Sequence, residues 1–561
     1  MVVQVEVSPV GGGDALREGR SGAPAHPAAP GAGGGGASAP AHEAIVPGTG
    51  RRVAASAALR TDAPVLDLDG EWDFRWSPSP SAPLDMLDGP LPGPGWTTIT
   101  LPAHWSMPEQ PGPDGPQYTN VVYPFPVDPP HVPDQNPTGD HRRVFDLPGD
   151  WPAEGAVHLR TEGIESFARI WLNGTEVGTR QGSRLTQDFD VTGLLRERGN
   201  VLVIRVVQWS AGSYVEDQDQ WWLPGIFRSV SLRHRPARRI DDAWLDGDLA
   251  EDGTGLLHVK LSAPAGAWPL TVAIPELGLV HEVTAPGKVA PLEVPGVEPW
   301  TAETPRRYRA TVSSAEETVE ITVGFRRVEV EDGVLRVNGQ PIILRGVNRH
   351  EWDPRTGRVI DLEVAREELL AMKRANVDAV RTAHYPPDAR WLDLADEIGM
   401  WVMLEADVET HGFEGEGWAG NPADDPAWRD LLLDRIVRTV ERDKNHPSII
   451  MWSLGNESAT GQNLAAMSDW LHARDPRRPV HYEGDHAGAY TDVYARMYPA
   501  LEEIRSWLAP EGPVAVAHHA ASRITDREAA RVRSKPLILV EYLHAMGTGP
   551  GGVADYAALI E

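Results

Sequence analysis

From about residue 335 to the end, short apolar runs alternate with amphipathic stretches of helical period. This alternation restricts the fold more than any other feature of the chain. The runs are PIILRGVN (341–348), DAVRTAHY (378–385), MWVMLEAD (400–407), IIMWSLGN (449–456), PVHYEGD (479–485), DVYARMY (492–498) and PLILVEY (536–542). Helical stretches such as LEVAREELLAMKRAN (362–376) and WRDLLLDRIVRTVERDKN (428–445) lie between them. Strands that alternate with helices imply a parallel sheet covered by helices. Its closed form, the (β/α)8 barrel, needs eight strands. Seven are found, followed by one more helical stretch, ADYAALIE, so residues 331–561 are expected to form an incomplete TIM barrel lacking its eighth strand. An open barrel exposes strand edges and an apolar interior. The expectation is therefore a part of a longer protein; the alternatives are completion by a second chain or a defective product.

Upstream the pattern differs. Between LDLDGEWDFRW (66–76) and about residue 235, short alternating strands such as AVHLRTEG (156–163), ARIWLNG (168–174) and NVLVIRVVQW (200–209) are punctuated by Gly, Pro, Asp and Asn. That texture predicts an antiparallel jelly-roll sandwich over 51–235. Residues 236–330 repeat it at smaller size and predict an immunoglobulin-like sandwich. Residues 1–50 are rich in Gly, Ala and Pro, and too little apolar surface is available there to offset ordering entropy, so a disordered tail is expected. A GxGxxG match at Gly31–Gly36 has no strand before it and carries no nucleotide-binding reading.

The formal net charge of −29 disfavours nucleic acid and anionic lipid as partners. With no cysteine, disulfides and thiolate metal sites are excluded. The first ten residues lack a basic region followed by an apolar core, and no run of about 18 apolar residues occurs. A cytoplasmic protein is the expectation.

Two carboxyls stand out in the barrel region. Glu457 in WSLGNES and Glu541 in LILVEYLHAMG each follow or close a buried strand. The C-terminal tips of barrel strands are where such folds carry catalytic groups, and two carboxyls are the minimum for breaking a glycosidic bond. A glutamate at a strand end can equally cap a helix or pair with an arginine. Glu409 and His411 in ETHG alternate along an extended segment and so project to one side, where both could reach one ion or simply bond each other. Neither GxSxG nor HExxH occurs, which removes serine-hydrolase and zinc-protease readings.

Long strings then point to a family: GPQYTNVVYPFPVDPPHVPDQNPTG (115–139), SYVEDQDQWWLPGIFR (213–228), LRGVNRHEWDP (344–354), VRTAHYPPD (380–388), EADVETHG (405–412), HPSIIMWSLGNES (446–458) and LILVEYLHAMG (537–547). Together they resemble glycoside hydrolase family 2 from about residue 60 to 561, and within it the bacterial lactose-cleaving members. The resemblance implies a retaining exo-β-galactosidase acting by double displacement on β-galactosides such as lactose. It implies Glu457 as acid/base and Glu541 as nucleophile. It implies a Mg²⁺ site of Glu409, His411 and Glu457, and Na⁺ at Asp219 with further ligands beyond this chain. Asn120, Asp219, His350, His384, Asn456, Tyr498 and His544 would bind the sugar or the nucleophile, with Tyr494 as the rival to Tyr498. The tryptophans Trp209, Trp221 and Trp222 are read as sandwich core or interface. The parent family commonly forms homo-oligomers.

The chain departs from the family by lacking the eighth strand, the tryptophan loop after it and two further β domains, and by Thr548 where Asn is usual. The competing readings are a β-glucuronidase or β-mannosidase of the same superfamily, or a carbohydrate-binding fragment without turnover. A glucuronidase would need the family's NxK pattern beyond the nucleophile, and VEYLHAMGTGPGG has none.

Overall fold

In the computed structural model the described residues are 3–5, 40–91, 93–509, 524–544 and 551–560. Two antiparallel sheets pack face to face in the first domain, beside a small third sheet of Ile164–Glu165, Gly225–Ile226 and Ala103–His104. The larger has seven strands, running in space from Gly48–Gly50 through Thr175–Gln181, Phe167–Leu172, Asn200–Val207, Thr138–Phe145 and Gly70–Ser77 to Thr97–Leu101. The smaller has four, including Ala156–Thr161 and Val230–Arg235. Alternate apolar residues of both sheets, among them Trp72, Phe74, Leu159, Ile170, Ile204 and Leu232, fill the space between them.

The expected tail ends earlier than residue 50. Gly48–Gly50 pairs with Gly178–Arg180 as an edge strand of the larger sheet. Glycine composition argued for disorder there, but a Cβ at Gly48 would lie 2.2 Å from the Thr179 carbonyl oxygen, so glycine permits this close pairing. Val3–Val5 also pairs, antiparallel to Leu537–Leu539. Residues 40–47 of the expected tail are described as well, with a single helical turn at Ala41–Glu43, whereas residues 6–39, which include Gly31–Gly36, lie outside the described residues.

A second sandwich follows, built from a three-stranded and a five-stranded sheet around Leu245, Leu257, Val272, Tyr308 and Phe325. One of its strands is Arg60–Thr61, which pairs with Val319 and Glu320. Those two residues were expected within the first sandwich; backbone pairing across the domain boundary is invisible in a local pattern.

All seven expected strands of the last domain form. They are Gly346–Arg349, Ala379–Thr382, Trp401–Glu405, Ile449–Ser453, Val480–His481, Tyr494–Met497 and Leu537–Glu541. The first five make one parallel sheet in chain order, and the last two make a parallel pair. Helices Leu362–Arg374 and Ala389–Ile398 begin at Asp361 and Asp388, whose carboxylates accept backbone N–H groups of the first turn. A hairpin, Val328–Glu331 with Val334–Val337, places Leu335 and Val337 against Ile450, Met451, Ile538 and Val540 and closes the end opposite the candidate site.

Charge binds the first sandwich to the barrel domain. The buried Arg184 guanidinium meets Glu216 at 3.4 Å and Asp407 at 3.2 Å, and Arg435 meets Glu216 at 2.7 Å. Removing one partner of such a cluster leaves a buried charge unpaired, at a cost of about 3–5 kcal/mol. Among the described residues no helix is long and apolar enough to cross a membrane.

Candidate active site

Glu541 ends the seventh strand, and donors from two other strands converge on it. Arg381, fully buried on the second strand, donates to Oε1 at 2.8 Å. The Tyr498 hydroxyl donates to Oε2. His384 Nε2 stands 3.6 Å from Oε1. Of the two rival tyrosines, Tyr498 thus bonds Glu541 in this structure, while Tyr494 is buried on the sixth strand, stacked on Trp507. Burial, followed by the negative charge of Glu541, raises the Tyr498 phenol well above its usual range.

A second layer orients these donors. Glu405 is fully buried and accepts from Arg381 Nε at 2.7 Å and Ser453 Oγ at 2.5 Å. Its other oxygen lies 2.8 Å from His384 Nδ1. Burial pushes the Glu405 carboxyl up to about 6, against the pull of Arg381. Burial works against the Arg381 cation too, but Glu405 and Glu541 outweigh it and raise the group. His384 falls to about 3, through burial and then Arg381, and is a neutral imidazole at neutral pH. His350 is lowered well below its usual value by burial and by His384, against which its ring stands edge-on at 5.2 Å.

Glu457 lies opposite in character. After the fourth strand, Gly455 adopts φ +151°, and a Cβ there would sit 2.5 Å from the Val408 carbonyl oxygen. Glycine thus lets the chain pass close enough for Asn456 N–H to reach that carbonyl at 2.9 Å. Asn456 turns its side-chain oxygen to Arg381 at 2.8 Å, and Glu457 comes within 2.6 Å of His411 Nδ1. Donor atoms of Glu409, His411 and Glu457 all lie within 4.8 Å of one another. Glu409 is fully buried, and among the described residues no well-aligned donor reaches either of its oxygens, although the Asn456 amide lies beside it. Burial first, and Glu457 second, raise this carboxyl well above its usual range. An unpaired buried carboxylate is costly, so the trio fits a hard cation such as Mg²⁺.

The two carboxyls belong to one site, since His384 and Tyr498 both feel the charge of Glu541 and of Glu457. His544 joins its edge, 6.1 Å from the Tyr498 ring. Asn120 and Asp219 sit in neighbouring loops of the first sandwich, where Gln117 pairs with Trp222 and the Tyr118 hydroxyl donates to Asp219 at 2.6 Å. Asp219 is not part of the converging trio. Trp209 and Trp222 are buried against each other, as expected, whereas Trp221 stacks on Trp352 at 5.6 Å and is half-buried. Thr548 lies outside the described residues.

Sequence reasoning missed Arg381, Glu405, Ser453 and Asp217. Arg381 and Glu405 both stood in quoted strings, VRTAHYPPD and EADVETHG, and a charged residue inside an otherwise apolar barrel strand is a signal that could have found them.

Paired carboxyls at strand tips of a β/α barrel, beside two β-sandwich domains, are the equipment of a glycoside hydrolase. Comparison with known proteins agrees. Residues 65–236 match the model of the glycosyl hydrolases family 2 sugar binding domain, and residues 328–561 match that of its TIM barrel domain. The chain belongs to glycoside hydrolase family 2. It is 51% identical over 530 residues to a β-galactosidase of Arthrobacter sp. (strain B7), covering 92% of this chain and 52% of that protein. The chain thus spans about half the length of this curated relative. Among solved structures, a β-glucuronidase of an uncultured Clostridium sp. shares the fold with a TM-score of 0.65 at 20% identity, covering 86% of this chain and 83% of that one. The Bifidobacterium dentium β-glucuronidase, bound to coumarin-3-O-glucuronide, gives 0.63 at 20% identity with 78% of each chain covered.

Proposed function

We propose that this chain carries the catalytic machinery of a retaining exo-β-galactosidase that releases terminal β-D-galactose from β-galactosides such as lactose. The observation that supports it most is the asymmetric carboxyl pair: Glu541 held by Arg381 and Tyr498, and Glu457 set against His411 and Glu409. In this reading Glu457 protonates the leaving oxygen while Glu541 attacks the anomeric carbon. Esterification removes the charge of Glu541, and Glu457 then takes a proton from water for the second displacement. Arg381 and Tyr498 orient the attacking oxygens. His350, His384, Asn456 and His544 contact sugar hydroxyls, and Asn120 and Asp219 supply the rim. Glu409, His411 and Glu457 would hold Mg²⁺, which would supply positive charge beside the acid/base group, and Asp219 would contribute to a Na⁺ site. The second sandwich is immunoglobulin-like, and the seven strands are those of an eight-stranded barrel.

The solved glucuronidases share the fold at about 20% identity and do not transfer their substrate. The test is turnover of 4-nitrophenyl β-galactoside, β-glucuronide and β-mannoside by the purified chain with Mg²⁺ and Na⁺. Preference for the galactoside, with β-configured galactose as the first product by NMR, is the expected result. Preference for either other glycoside would replace this assignment. A folded sample that binds galactose without hydrolysing any of the three would favour the carbohydrate-binding reading for this chain.

A further inference from the structure

The first sandwich sends one extended segment into the barrel mouth, and four consecutive polar residues on it, Glu216 to Asp219, need partners there. Glu216 pairs with Arg435 at 2.7 Å. Gln218 donates to the His384 carbonyl at 3.3 Å. Asp219 accepts from Tyr118 at 2.6 Å. Asp217 is only half provided for. Its Oδ2 accepts the Gly412 N–H at 2.7 Å, but its Oδ1 is buried and has no hydrogen-bond partner among the described residues, and the residue is 0% exposed.

Backbone pairing fixes where Asp217 sits relative to Glu409. Glu216 and Glu409 form a parallel bridge; Glu409 N–H reaches the Val215 carbonyl at 3.0 Å, and Asp217 N–H reaches the Glu409 carbonyl at 3.2 Å. Asp217 is therefore one ladder step from Glu409, and it holds the residue directly after His411. The approach is close: a Cβ at Gly412 would lie 2.9 Å from Asp217 Oδ2 and 2.7 Å from the Tyr123 ring. Burial, with Asp219 adding to it, moves the Asp217 carboxyl up to about 8, against the Gly412 N–H and His411. Asp217 stands outside the group of three whose donors converge within 4.8 Å. It comes beside that group from the other domain, bonded to the N–H that follows His411, and Glu409 feels its charge.

We infer that Asp217 is an outer carboxylate of the Glu409–His411–Glu457 cation site, accepting through Oδ1 a hydrogen bond from a water that the cation carries. The inference rests on the Mg²⁺ reading of that trio. Magnesium usually keeps several waters, and their acceptors outside the coordination sphere tune affinity. The consequence is that the first sandwich contributes to cation affinity, so metal binding and domain docking are one linked event.

The experiment is calorimetric titration of MgCl₂ into the chelator-treated chain, comparing wild type, D217N and E409Q. D217N preserves shape and an acceptor for Gly412, and replaces the Oδ1 acceptor with an N–H donor. Weakening of Mg²⁺ binding by about ten- to a hundredfold in D217N, with binding abolished in E409Q, is expected. Wild-type affinity in D217N overturns the inference and leaves the cation site standing. No Mg²⁺ binding by wild type removes the site and the inference together. The Mg²⁺-induced rise in Tm, taken for D217N and D217S each against its own chelated state, guards against a general loss of stability: a rise equal to that of wild type in both also overturns the inference.

Discussion

The two halves of the site solve opposite problems. Around Glu541 the protein supplies donors: Arg381, Tyr498 and the His384 ring face one carboxylate. Around Glu457 it supplies acids: among the described residues neither oxygen of Glu409 has an aligned donor and Asp217 Oδ1 has no hydrogen-bond partner, while His411 brings a nitrogen to within 2.6 Å of Glu457. A nucleophile must present a fixed oxygen, and hydrogen bonds from a rigid fork do that. An acid/base group must exchange a proton, and nearby negative charge raises the affinity for that proton. The protein fixes one carboxyl by its own bonds and leaves the other in surroundings that a cation would complete.

This contrast can be broken at several points. E541Q should reduce galactoside turnover by about 10⁴-fold or more, comparable to losing a covalent catalytic group elsewhere, while galactose binding by calorimetry persists. Retained turnover would move the nucleophile elsewhere. On the acid side, E409Q should cost about 10²-fold in kcat and should become insensitive to EDTA, whereas wild type should lose activity in chelator. Equal EDTA sensitivity of the two would detach Glu409 from the cation. Y498F should cost about 10²-fold through loss of one oriented donor, and its activity should respond to EDTA as wild type does, since it touches only the donor-rich half.

The opposite end of the barrel provides the control with the smallest effect. His446 lies 2.6 Å from Asp396, and although burial opposes it, that carboxylate raises the imidazole to about 8. A folded value above the unfolded one means the pair's stabilisation is complete below about pH 6.5 and is lost as pH rises through about 8. The amount is about 2 kcal/mol. Urea midpoints at pH 6 and pH 9 should differ less in H446Q than in wild type. An unchanged pH dependence in H446Q would remove this pair from the titration.

Much of the fold could be read from local pattern. The seven barrel strands lie where apolar runs lie, because a parallel strand buried on both faces must be apolar throughout. The boundaries failed where pairing is long-range: Gly48–Gly50 and Arg60–Thr61 take partners more than a hundred residues away, and no local window contains them. Glu457 and Glu541 could be singled out because a carboxyl beside an apolar strand calls for a reason. Glu405 and Arg381 gave the same signal, yet their roles depend on each other and on Glu541, three strands brought together by the barrel.

Sequence alone therefore determined the order of the sugar-binding and barrel domains, the strands and helices of the barrel region, and the family. These follow from periodicity and from motifs short enough to be contiguous. Tertiary structure alone decided which tyrosine meets Glu541, that Glu405 joins Arg381 to His384, and that Asp217 reaches the Glu409 side from another domain. Those are distances between residues far apart in the chain, and only the closing of the fold sets them.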